Sequence, residues 1–123
     1  MPLERADTGQ LGVILPGQKA KWEHIAVKIL AIEQEVAGVT GEAFKPYLEK
    51  EAARVWELYQ AGVFRELYFR QDQTSAVLVL ECADVQEACE ILGSLPLVQQ
   101  GLITFEVIPV VAYPGFARLF GKG

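Results

Sequence analysis

The chain has few of the residues that usually mark a cofactor site or a catalytic centre. Its 123 residues include one histidine, His24, and two cysteines, Cys82 and Cys89. The cysteines do not form a CxxC, and no second pair or nearby histidine completes a metal set. There is no P-loop, GxGxxG, GxSxG or HExxH. Nucleotide, serine-hydrolase and metal-dependent readings therefore have no support, and no cofactor is expected. Basic residues are also scarce: eleven against sixteen acidic ones, for a net charge of −5. They are scattered, whereas displacing counterions from phosphates needs clustered Lys and Arg. Nucleic acid and anionic membranes are not expected partners. Apolar runs such as Ala76–Leu80 and Val107–Tyr113 are too short to cross a bilayer. The opening residues, Met-Pro-Leu-Glu-Arg-Ala-Asp, lack the layout of a signal peptide. The expected compartment is the cytoplasm, with Cys82 and Cys89 as buried small hydrophobes rather than a disulfide.

Apolar side chains, by contrast, are abundant. They make up 51% of the residues, and the mean hydropathy is +0.21. A chain of this length closes one core but does not divide easily into two. It would leave much of that apolar surface in water, and the usual outlet is a subunit interface. The expected partner is another copy of the chain, in a homodimer or higher even oligomer.

The first 26 residues read as a leader or arm, broken by Gly9, Gly12, Pro16 and Gly17 around the run Leu11–Leu15. His24, the single neutral-pH titrating side chain, falls in this segment, and a surface position is expected for it. From residue 27 the pattern is regular. Val27–Val36 reads as a strand. Glu42–Ala61 reads as a helix, with Phe44, Leu48, Ala52, Val55, Trp56 and Tyr59 on one face. Pro46 places the start of its main body, and Gly62 stops it. Val63–Arg70 and Ser75–Cys82 read as a hairpin around Gln71–Thr74. Asp84–Leu92 reads as a second helix, with Asp84 as cap and Glu87 at the capping-box spacing. Ser94–Gly101 is expected to be a loop and Leu102–Val111 the last strand. The tail, Tyr113–Phe120, is too apolar to hang free and is expected to dock on its own domain or on a neighbour.

Strand, helix, strand, strand, helix, strand is the split βαβ pattern of the ferredoxin-like α+β fold. Both helices would cover one face of a four-stranded antiparallel sheet. The strands are apolar on both faces, so the other face is expected to be buried by a second copy.

Polar residues within the apolar strands are the candidates for chemistry. Glu81 closes the run AVLVLE, where a carboxylate either emerges at the strand end or needs a partner. Partial burial would raise its pKa and suit it to general-base work. Arg65, Glu66, Tyr68 and Arg70 decorate the preceding strand. An even-sum hairpin register places Arg65 on the face of Glu81; an odd-sum register places Glu66 and Tyr68 there, and both remain open. Glu106 interrupts the last strand and is read as facing water at an edge. Glu51 and Arg54 read as a solvated bridge on one helix.

The stretches EAARVWELYQAGVFRELYFR, AVLVLE, LPLVQQGLITFEVIP and YPGFARLF resemble the muconolactone isomerase-like proteins of the dimeric α+β barrel superfamily. The resemblance covers residues 27–120. It implies a barrel dimer and an enzyme that shifts a double bond in a small lactone by moving a proton, without a cofactor. Relatives often carry Arg-His where this chain has Arg65-Glu66. On this reading Glu81 or Glu66 is the expected base, while Arg65, Tyr68 and Arg70 hold a small hydrophobic anion. Two alternatives stay open: a cofactor-free oxygenase or ligand-binding barrel, and a non-catalytic assembly module.

Overall fold

A computed structural model describes residues 26–121. The readings of the leader, including Leu11–Leu15 and His24, lie outside the described residues.

The sheet contains β1 (Val27–Glu35), β2 (Phe64–Phe69), β3 (Ala76–Cys82) and β4 (Ile103–Val110). Its order is β2-β3-β1-β4, and all neighbours are antiparallel. This is the ferredoxin-like α+β arrangement. The most apolar strand, β3, is central, where both faces of a strand can be covered. Pro109 sits on edge strand β4, where a missing N–H is tolerated.

After β1, a 3-10 segment over Gly41–Tyr47 carries Pro46, and the regular helix α1 begins one residue later, at Leu48–Gln60. Gly62, with φ of 81°, ends it. Val63 N–H donates to the Leu58 carbonyl and Gly62 N–H to the Tyr59 carbonyl, the paired bonds of a Schellman turn. That turn aims the chain directly into β2. Helix α2 (Val85–Gly93) starts as expected: the Asp84 carboxylate accepts from Glu87 N–H at 2.8 Å. Glu87 reaches back to the N–H of Ala83 at 2.6 Å.

Ser94–Gly101 corrects the sequence reading. It holds a short helix, α3 (Pro96–Gln99), in place of the expected loop. Pro96 fits the first turn because its missing N–H would have had no partner there. Gly101, φ 74°, closes a second Schellman turn through Leu102 N–H to Leu97 and Gly101 N–H to Val98. Pro at the start and Gly just past the end were the signal for a helix. Its four residues are too few to show a periodic stripe.

The helices pack on one face of the sheet. Ile29, Ala31, Phe64, Leu78 and Leu80 meet Leu58, Ala88, Leu92 and Leu95 in a single core. Cys82 is buried among them, but Cys89 is exposed. This corrects the expectation of two buried thiols: Cys89 follows the core residue Ala88 by one position, about 100° round the helix.

On the opposite face, Leu30, Ile32, Val77, Val79, Ile108 and Val110 lie side by side through the pairings of β1, β3 and β4. No described helix covers them. Glu106 shares this face, opposite Ile32, and is exposed. The tail forms two short turns, the 3-10 segment Pro114–Phe116 and α4 (Ala117–Phe120). They contact each other but no other helix or strand.

Candidate functional site

The residues nominated from β2 and β3 meet on the uncovered face because the strand bulges. Phe64 faces Leu80, yet Glu66 faces Val79, so Arg65 is the extra residue between them. The two alternative registers therefore both occur, one on each side of the bulge. Phe64 stays in the core, while Arg65 Nη1 donates to Glu81 Oε1 at 3.2 Å. Glu66 and Tyr68 share that face, opposite Val79 and Val77. The Tyr68 hydroxyl donates to Glu66 Oε1 at 2.7 Å, and the neighbouring carboxylate pushes the Tyr68 pKa up. Lys28 lies across from Glu81 on β1. Arg70 is not part of this group. It closes on Asp72 through two bonds of 2.9 and 2.6 Å within the hairpin, which lower the Asp72 pKa.

A second polar site lies on the helix side of the sheet. A cleft of about 380 Å³ opens between α1, the ends of β2 and β3, and the start of β4. Leu48, Ala52, Val55, Leu67, Leu97 and Phe105 make its wall predominantly apolar. That volume suits a small molecule. Among the described residues, its ionisable lining consists of Glu33, Glu51 and Tyr68. Glu33 Oε1 accepts from the Ala76 N–H at 2.8 Å, and Glu51 Oε1 accepts from the Leu97 N–H at 2.9 Å. Burial pushes both carboxyls above the ordinary range. The backbone bonds work in the opposite direction, and the charge of Glu33 pushes Glu51 up further. Each carboxyl is thus anchored through one oxygen in an apolar wall, where partial burial raises its pKa.

Neither carboxylate was nominated from the sequence, although both carried a signal. Glu33 continues the alternation Val27, Ile29, Ala31, which is the core face of β1. Glu51 lies three residues after Leu48 and four before Val55, on the apolar face of α1. Its expected bridge to Arg54 is absent. Arg54 instead binds Ser94 Oγ and Glu57, both at 3.0 Å. Glu51 turns inward because α3 presents an N–H that needs an acceptor. No group of histidine, cysteine, aspartate and glutamate among the described residues could hold a metal ion. No described helix is long and apolar enough to cross a membrane.

Fold and site together define a ferredoxin-like domain with a small apolar cleft that holds two partly buried carboxyls. Residues 30–115 match the family described as Muconolactone delta-isomerase. The match spans more than half of the chain, and the chain belongs to that family. A search of curated proteins finds no match.

Proposed function

We propose that this protein is a cofactor-free isomerase that moves a double bond within a small unsaturated lactone carrying a carboxylate. The supporting observation is the pair Glu33 and Glu51, held partly buried in a cleft of small-molecule size within a chain of this family. A carboxylate takes the proton from the saturated ring carbon beside the double bond. The electron pair spreads through the ring to the lactone carbonyl oxygen. A carboxyl then returns a proton to the carbon next to that carbonyl, and the double bond ends one position along. No electrons are gained or lost, so no redox partner is needed. The apolar wall raises the basicity of the carboxylates and keeps water from the intermediate. The apolar residues of the uncovered sheet face would pack against a second copy, closing a barrel dimer.

The test is to add muconolactone to the metal-free protein and follow the change in ultraviolet absorbance. Turnover without additives is expected. A fully folded protein with no turnover would sink the reading.

A second reading places the chemistry between the sheets, with Glu81 as base and Arg65 holding the anion. Glu66 and Tyr68 would then contribute at the same face. Its support is the bulge that brings Arg65 to Glu81. Glu81→Gln separates the two readings, since turnover survives that change if the cleft is the site.

A further inference from the structure

The outer edge of β2 is open. Among the described residues, β2 pairs with β3 alone and ends the sheet on that side. Arg70 N–H donates to the Ser75 carbonyl at 2.8 Å. In an antiparallel ladder that bonding recurs every second residue, so Tyr68 and Glu66 also turn their backbone to β3. Leu67 and Phe69 therefore turn their N–H and carbonyl groups outward, where no described strand meets them. An exposed edge is normally blunted by charge, proline or a bulge. Here the bulge and the charges of Arg65 and Glu66 guard only the first half of the strand. Leu67, Tyr68 and Phe69 follow without a charge.

The same edge carries exposed apolar side chains. Leu67 and Phe69 stand on the helix side of the sheet, opposite Leu78 and Ala76, and Phe69 is 68% exposed. Tyr59 of α1 forms a shallow groove of about 310 Å³ with Arg65, Glu66, Leu67 and Tyr68. The Trp56 ring lies 5.9 Å from that of Tyr59, and both are about half exposed. A second copy packed on the uncovered face lies on the other side of the sheet from Leu67, Phe69 and α1. The opposite edge strand offers less. β4 contains Pro109, which has no N–H to donate, and none of its residues is among the large exposed apolar ones. The β2 edge thus combines free backbone groups with an apolar flank, the combination that an added strand uses.

The leader contains a segment of matching chemistry. Leu11–Leu15, LGVIL, is an uncharged run bounded by Gly9 and by Pro16-Gly17, and its β-branched pair Val13-Ile14 favours a strand. In extended form Leu11, Val13 and Leu15 share one side. Five residues extend ~17 Å, close to the length of β2. The connection also reaches. Val27 pairs with Cys82, Ile29 with Leu80, and Leu80 with Phe64, so β2 begins level with the head of β1. A strand outside β2 lies three strand spacings from β1, roughly 15 Å. The eleven residues Pro16–Ala26 span up to ~36 Å. The tail is no rival for this edge, because it is coiled into helical turns. We propose that Leu11–Leu15 adds to the outer edge of β2 in its own chain as a fifth, antiparallel strand, with Leu11, Val13 and Leu15 covering Leu67, Phe69 and the Trp56–Tyr59 pair. Antiparallel pairing places Leu15 at the Phe64 end, nearest β1, and keeps the connection short. The family match begins at residue 30, so the added strand is a feature of this chain outside the matched region.

Two measurements on the full chain test it, and neither depends on the protein being an isomerase. The first is hydrogen exchange followed by NMR. The Leu67 and Phe69 amides should exchange about 10-fold or more below open-chain rates, and Val13→Pro/Ile14→Pro should release them. Adjacent prolines remove an N–H whichever of the two residues faces β2. The Ile29 and Leu80 amides, in the central strands, should stay protected in that variant. Fast exchange at Leu67 and Phe69 in the unaltered chain overturns the proposal. Slow exchange that persists in the proline variant also overturns it, because another occupant, such as the edge of a second copy, then holds β2. The second measurement leaves the backbone of the leader intact and decides which chain supplies the strand. In a Cys89→Ser background, Val13→Cys/Leu67→Cys is treated with a short flexible bis-maleimide. A cross-link within one chain is expected, in higher yield than for Val13→Cys/Glu106→Cys on the opposite edge strand. Equal yields overturn docking at β2. A product that runs as a covalent dimer assigns the strand to a neighbouring copy and overturns its assignment to the same chain.

Discussion

Replacing Glu51 separates its packing role from its chemical one. Its Oε1 accepts the Leu97 N–H at 2.9 Å in a partly buried setting, so Glu51→Ala leaves that donor without an acceptor. An unsatisfied buried donor costs about 1–3 kcal/mol. In a domain of this size that lowers Tm by roughly 4 to 20 °C. Glu51→Gln keeps an acceptor oxygen at the same place and removes a charge that burial disfavours. Its Tm should stay within a few degrees of wild type, about what a change below 1 kcal/mol produces. The amide cannot move a proton, however, and positioned acid–base groups contribute about 100- to 10,000-fold. Thermal melts followed by circular dichroism, with muconolactone turnover on the same samples, read both effects. Glu51→Gln with wild-type kcat would refute the catalytic role. Glu51→Ala with wild-type Tm would refute the anchoring role.

Four further outcomes are expected. Glu33 and Glu51 have folded pKa values above their ordinary 4.5, so the folded state binds more protons just above that pH. Their contribution is fully present below pH ~4.5 and is lost as pH rises through the raised values. The double variant Glu33→Gln/Glu51→Gln should therefore gain Tm relative to wild type as pH rises through that window, and a gap that does not change with pH in paired melts would contradict it. Phe64→Ala empties a fully buried site at the foot of the bulge and should cost about 3–5 kcal/mol in urea unfolding; a loss under 1 kcal/mol would show that the core does not depend on it. Asp84→Ala removes the α2 cap and should cost about 0.5–2 kcal/mol by the same assay, whereas an unchanged midpoint would discount the cap. Ile108→Glu places a charge opposite Leu30 on the uncovered face and should convert a dimer to a monomer in native mass spectrometry; an unchanged assembly would place the interface elsewhere.

The strand and helix order was legible in the sequence because each element carries its own signal. Alternation in β1, the stripe on α1 and the Asp84–Glu87 pair are local patterns that short-range sterics and hydrogen bonding enforce. The α3 turn was missed although Pro96 and Gly101 bracket it, since four residues show no periodicity. Cys89 was misplaced for a related reason: a small residue at the border of an apolar stripe carries no marker of which side it takes.

The sequence by itself determined the α+β class, through the order of its strand and helix patterns, and the abundance of apolar side chains. Tertiary structure decided the site. The bulge at Arg65 settled a register that strand periodicity left ambiguous, because one inserted residue reverses the faces on either side of it. Glu33 and Glu51 come from different elements, β1 and α1, yet both turn into the same cleft. They do so because Ala76 and Leu97, distant in the chain, each present a backbone N–H there. Which carboxylates lose their water is set by the packing around them, and that packing exists only once the sheet and helices have met.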